Sequence, residues 1–145
     1  MWRWWSGISA PSEFGDPLST TVYDLCVYDR GTGSLRLLMR ESVSPGGSCG
    51  GTPCWTATPT MFEYSNLAGP LQQLTLQGGM LGHARITARS AGGGFVLPPM
   101  PLAPPVMVRL RARNGLCWGA NFSAPDRNGR RRFRSQGDVY YPHAK

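Results

Sequence analysis

The sequence predicts an all-β protein, an antiparallel β-sandwich of Ig-like or jelly-roll-like type with about eight short strands. Three observations carry this expectation. The 145 residues include 19 glycines and 13 prolines, and both residue types are costly inside helices. Apolar residues recur with a period of two in short runs bounded by Gly, Pro, Asn and Asp, the pattern of half-buried strands joined by turns. No segment shows a sustained helical period, and many short strands with turn-rich spacing make a sandwich.

The elements follow in order. Residues 1–20 read as an irregular arm, because Pro11, Gly15 and Pro17 break any periodicity. The sandwich is expected over 21–125. Thr21 to Asp29 is rich in β-branched and aromatic residues and predicts a strand, and the alternating run Leu35 to Val43 predicts its hairpin partner. Trp55 to Thr58 and Met61 to Ser65 are two short strands divided by Pro59, and Leu71 to Gln77 is a third. After a turn-rich stretch over 78–82, His83 to Ser90 alternates again, with Ala84, Ile86 and Ala88 on one side and Arg85, Thr87 and Arg89 on the other. The proline-rich stretch 97–105 predicts an extended, rigid crossover between sheets. Val106 to Arg113 alternates most cleanly, Asn114-Gly115 is a hairpin turn signal, and Leu116 to Phe122 completes the hairpin. From Asp126 the pattern is lost, and 126–145 reads as a basic tail.

One domain fits this length. No window of about 20 residues is apolar throughout, so a membrane-spanning helix is not expected. The 41% hydrophobic content supports a packed core rather than wholesale disorder. The formal charge of +7 is unevenly placed: residues 1–84 balance at −2 and residues 85–145 at +9. Such asymmetry marks either a surface for polyanions or a solvated face with a basic tail.

Four cysteines stand at 26, 49, 54 and 117. Cys49 and Cys54 bracket a Gly-Gly-Thr-Pro loop pliable enough for a disulfide. A Cys26–Cys117 bridge would close a loop of about ninety residues, worth up to roughly 4–5 kcal/mol. Zinc would need two close ligand pairs, and only one pair is close. Disulfides point to an oxidising compartment, extracellular or cell envelope. No secretory signal is visible at the start. The chain is then a fragment of a longer exported protein, or its start is misplaced, or it stays inside the cell with reduced thiols. Trp2, Trp4 and Trp5 beside Arg3 are too short a run for a membrane anchor.

No enzymatic constellation emerges. Gly46-Gly47-Ser48-Cys49-Gly50 matches a bare G-x-S-x-G, but a nucleophile elbow needs a strand before it and a helix after it. The eight acids offer neither a glycosidase pair nor a calcium-loop spacing, and His83 and His143 lack companions for a metal site. No cofactor and no metal are expected. Asn121-Phe122-Ser123 is a formal glycosylation sequon. Trp55 and Trp118 each follow a cysteine, where core packing and stacking on sugars or bases are both open roles.

The candidate anion-binding residues are Arg85 and Arg89 on one strand and Arg109, Arg111 and Arg113 on another. If the two strands are neighbours, five guanidinium groups share one surface suited to repeating sulfates, phosphates or carboxylates. The plainer alternative is an ordinary solvent face of a sheet.

The stretches VYDLCVYD, PGGSCGGTPCW, HARITARS, LPPMPLAPPVMVRL and NGLCWGANFSAP together resemble an uncharacterised exported bacterial β-rich module. That module runs as a CVYD strand, a GGxCGGxPCW loop, a lysine-rich strand, a proline crossover and a CW hairpin. The resemblance covers about residues 14–137, and the four cysteines match it position by position. Arg85 and Arg89 stand where the module often carries lysine. It implies an exported β-rich domain, often at the end of longer chains, and no activity. The expected function is thus a non-catalytic extracellular module for surface attachment or structural interaction. The alternative is a polyanion-binding protein for nucleic acid or anionic glycan. The expected partners are a cell surface or an anionic polymer.

Overall fold

The structure, a computed structural model, describes residues 1–90, 96, 98–129, 132–134 and 139–144. In chain order the strands are β1 (Trp2–Ser9), β2 (Tyr23–Asp29), β3 (Arg36–Val43), β4 (Ser48–Cys49), β5 (Thr52–Pro53), β6 (Trp55–Ala57) and β7 (Met61–Ser65). They continue as β8 (Gln73–Gln77), β9 (Gly79–Arg89), β10 (Val106–Ala112), β11 (Leu116–Phe122), β12 (Arg127–Gly129), β13 (Arg132–Arg134) and β14 (Val139–Ala144). A 3-10 turn, Pro11–Phe14, follows β1.

Two five-stranded antiparallel sheets form a β-sandwich, one in the order β1-β9-β8-β7-β6 and the other β14-β11-β10-β2-β3. We call these sheets I and II. All eight strands expected from the sequence are present, as β2, β3 and β6 to β11. β9 begins at Gly79, so the glycines expected to make a turn over 78–82 largely extend the strand instead. The chain passes from β9 in sheet I to β10 in sheet II, as a proline crossover requires; residues 91–95 and 97 lie outside the described residues.

Two expectations are corrected at the ends of the chain. Residues 2–9, within the expected irregular arm, form β1 and pair with β9 through Trp2↔Ala88, Arg3↔Thr87 and Trp4↔Ile86. The physical reason is the alternation Trp2, Trp4 against Arg3, Trp5, which buries two indoles on one side of a strand; the breakers Pro11, Gly15 and Pro17 all follow it. Within the expected basic tail, β14 adds an edge strand to sheet II, pairing with β11 from Leu116↔Ala144 to Asn121↔Val139. Its Pro142 is tolerated because an edge strand needs ladder donors on one side only.

One core fills the space between the sheets. Trp4, Trp55, Trp118, Tyr23 and Phe14 are its largest fully buried side chains, packed with Leu74, Leu76, Ile86 and Leu110. Trp118 lies 4.9 Å from Phe14, and Trp55 lies 5.5 Å from Tyr23 and 5.2 Å from Tyr64 between ring centroids. The polar ends are accommodated where they can be. Trp118 Nε1 donates to Ser9 Oγ across the sandwich at 3.2 Å, Trp55 Nε1 to Ser44 O at 2.9 Å, and the Tyr23 hydroxyl to Phe14 O at 2.5 Å. Both cysteine-following tryptophans are therefore core residues. Burial pushes the Tyr23 phenol well above its ordinary range.

Cys49 and Cys54 form a disulfide with Cα atoms 4.9 Å apart. The loop between them is the β4–β5 ladder, turned through Gly50 and Gly51 at φ +64° and +87°. Two successive left-handed residues make the primed hairpin turn that glycine allows at least cost. The G-x-S-x-G run thus belongs to a disulfide-closed hairpin.

The second expected disulfide is corrected: Cys26 and Cys117 are unlinked. Cys26 on β2 pairs with Arg109 and Cys117 on β11 with Arg111, so all of β10 lies between them. Two inter-strand steps and a two-residue offset along the strands separate them by roughly 11–12 Å, beyond the ~7 Å that a bridge can span. Native protein should therefore lack two hydrogens relative to its reduced mass, not four. Cys26 is buried and its thiol is pushed up by that burial, whereas Cys117 is half-buried. Alkylation should reach Cys117 in the folded protein and Cys26 only after unfolding; equal rates would contradict this packing.

Candidate functional site

Period-two alternation turns every second side chain of sheet I outward. β9 buries Ala84, Ile86 and Ala88 and exposes Arg85 and Arg89, with Thr87 between them. β8 buries Leu74 and Leu76 and turns Gln73, Thr75 and Gln77 out; β1 buries Trp2 and Trp4 and turns Arg3 and Trp5 out. Register then aligns these residues in rows across the strands. One row runs Arg3–Thr87–Thr75–Glu63–Thr56, and a second runs Arg89–Gln73–Ser65. Successive rows lie about 7 Å apart along the strands. Together they floor a groove of about 660 Å³.

Trp5 is 44% exposed in this groove, and two guanidinium groups sit against its ring: Arg3 at 5.8 Å and Arg85 at 5.6 Å from the centroid. These are cation–π distances. The attraction of the ring holds both cations beside the exposed indole. Among the described residues, no carboxylate ion-pairs with Arg3, Arg85 or Arg89. Glu63 is the one acid on the groove floor.

The other three predicted arginines lie on the opposite side of the molecule. β10 buries Val106, Val108, Leu110 and Ala112 against the core, so Arg109 and Arg111 project from the outer face of sheet II, with exposed Arg113 just beyond the strand end. The condition for all five arginines to share one surface, that their two strands be neighbours, is therefore not met. β9 and β10 are consecutive in sequence but belong to different sheets.

On sheet II the arginines are unequally engaged. Asp24 is buried and accepts from Arg40 Nη2 at 2.8 Å, Ser42 Oγ at 2.5 Å and Arg113 Nε at 3.5 Å. Burial alone would push this carboxyl up, but those three donors outweigh it and hold the group below the usual range. Arg113 is thus partly committed to Asp24. Arg109 and Arg111 ion-pair with no described acid, and Arg109 Nε is shielded from solvent with no described acceptor.

Sequence reasoning missed Arg3, Trp5, Glu63 and the Thr and Gln rows of sheet I. The alternation in Trp2-Arg3-Trp4-Trp5 was the available signal for the first two. No local signal could have assigned the rows, because they exist only in the cross-strand register. His83 is exposed. His143 lies on β14, opposite Cys117. Among the described residues, no group of three or more His, Cys, Asp or Glu could hold a metal, and no helix is long and apolar enough to cross a membrane. No family model, no curated protein and no solved structure matches the chain.

Proposed function

We propose that this β-sandwich is a non-catalytic attachment module of the extracellular space or cell envelope, and that sheet I binds an anionic glycan. The observation that carries this reading is the groove itself: three guanidinium groups with no described acid partner, two of them within cation–π distance of Trp5, beside rows of Thr and Gln. Guanidinium forks match carboxylate and sulfate oxygens in bidentate fashion. The Thr, Gln and Glu63 side chains supply donors and acceptors for sugar hydroxyls. A single-stranded nucleic acid fits less well, because such sites present several free aromatic faces for base stacking. Here one indole is exposed, and guanidinium groups already lie against its ring. The Cys49–Cys54 disulfide supports an oxidising compartment.

The test must separate a site from bulk charge. Heparin retention should fall clearly in Arg85→Ala/Arg89→Ala, and also in Trp5→Ala, which changes no charge. Arg30→Ala/Arg127→Ala, a charge-matched pair outside the groove, should stay close to the native protein. Each lost ionic contact should lower the slope of log K against log[salt] by about one. Equal losses for the two arginine pairs, or retention unaffected by Trp5→Ala, would overturn the reading, as would stronger competition by single-stranded DNA than by heparin.

A further inference from the structure

The outer face of sheet II carries a second set of uncommitted positive charge, and it lies on the far side of the core from the groove. Arg109 pairs with Cys26 on one side and Gly119 on the other, and Arg111 with Asp24 and Cys117. The two side chains are neighbours on one face, about 7 Å apart along β10. Arg111 is exposed, whereas Arg109 is packed so closely that its Nε is shielded from solvent without a described acceptor. Partial burial of Arg109 restrains its side chain, and a sulfate or carboxylate group that meets the exposed Arg111 gains the charge of both guanidinium groups. The neighbouring acid does not compete, since Asp24 is already occupied by Arg40, Ser42 and Arg113. Fixing those groups leaves Arg109 and Arg111 as the available pair.

We propose that the domain is bivalent. Resting on the reading of sheet I as an anionic-glycan face, it holds a second anionic-glycan site at Arg109 and Arg111, and it cross-links two polymer chains through opposite sides of the sandwich. The core and both sheets stand between the two sites, with the sheets stacked about 10 Å apart. A short oligosaccharide lying on one face does not reach the other. Cross-linking is then a property of the single domain and needs no oligomer.

The test uses the whole chain, a heparin tetrasaccharide for stoichiometry and dextran sulfate for bridging. The native protein should bind two tetrasaccharides and give turbidity with dextran sulfate that rises and then falls as protein is added in excess. Arg85→Ala/Arg89→Ala and Arg109→Ala/Arg111→Ala should each bind one tetrasaccharide and lose most of the turbidity. Arg111→Glu should repeat the second loss at an exposed side chain, leaving the packed Arg109 in place. A chain with Arg130, Arg131, Arg132 and Arg134 all changed to Ala should still bind two.

The outcomes separate the two proposals. No tetrasaccharide binding at all would overturn the groove reading and bivalence together. One equivalent, abolished by Arg85→Ala/Arg89→Ala, would leave the groove standing and overturn bivalence. One equivalent, abolished only by the β10 variants, would overturn the groove. Loss of an equivalent in the Arg130–Arg134 variant would place the second contact outside sheet II and overturn the assignment. Turbidity that persists undiminished in both single-face variants would show bridging by another route and overturn it equally.

Discussion

Replacing Trp4 by alanine should destabilise the protein by about 3–5 kcal/mol, the usual cost of truncating a large buried aromatic. Trp4 is fully buried in the common core, on a strand that pairs with β9. Its loss leaves a cavity in the core that the two sheets share. Against the roughly 5–15 kcal/mol that holds a typical domain together, such a change moves a urea midpoint far or abolishes folding. Trp4→Phe distinguishes size from polarity. The indole Nε1 has no described acceptor, so phenylalanine removes an uncompensated donor while keeping most of the ring, and the cost should be much smaller than for alanine. Equal midpoints for native protein and Trp4→Ala would show that residues 2–9 contribute nothing to the fold.

That experiment also bears on what could be read locally. The strands β2, β3 and β6 to β11 are legible because each is a short run that alternates or is rich in β-branched and aromatic residues. β1 is not, because the breakers Pro11, Gly15 and Pro17 dominate residues 1–20, and a run of tryptophans hides an alternation that its single arginine marks only weakly. β14 is hidden for a related reason: the pattern is lost from Asp126, and the basic run before it reads as a tail that nothing local separates from the strand over Val139–Ala144. The Cys26–Cys117 bridge and the five-arginine surface both turn on a longer range of information. Alternation says which side chains share a face of one strand. It does not say which strands are neighbours, and both the Cys26–Cys117 bridge and a single surface of five arginines depend on that order. Cys26 and Cys117 share a face yet straddle β10, and Arg85 and Arg109 lie on opposite faces of the sandwich.

The consequence for function is that net charge and charge placement part company. A total of +7 describes the electrostatic field at a distance, which steers any polyanion toward the protein. Close to the surface, the useful quantity is the number of guanidinium groups with no acid beside them. Arg36, Arg40 and Arg113 are occupied by Asp29 and Asp24. Those pairs hold strands and loops in place, and the groups left over on sheets I and II define the two candidate faces.

Asp29 shows how strongly such a pair can be built in. It is almost completely buried at the end of β2, and its carboxylate accepts from Arg36 Nε and Nη2 at 3.1 Å each, from Gly31 N at 3.3 Å and from Ala103 N at 3.1 Å. The last bond ties β2 to the proline crossover, which Arg30 N reinforces by donating to Ala103 O at 3.1 Å. Asp29→Ala should cost about 3 kcal/mol, since it strips a charged acceptor from two backbone donors, each bond worth roughly 1.5–3 kcal/mol. The Arg36 side chain is 61% exposed, so solvent screens its half of the interaction and Arg36→Ala should cost distinctly less. The pH dependence has a definite sign. Arg36 first, and then the backbone donors, hold the Asp29 carboxyl below the ordinary range against the upward push of burial. The unfolded chain therefore takes up this proton at a higher pH than the folded one. The stabilisation is complete above the unfolded carboxyl range, shrinks as the pH drops below it, and is lost as the pH falls through the folded value. Asp24, depressed in the same direction, adds to the slope. Urea midpoints of native protein and Asp29→Asn should thus differ most at neutral pH and converge in acid. A gap that stays constant down to the acid unfolding transition would mean that Asp29 acts through its shape and not its charge.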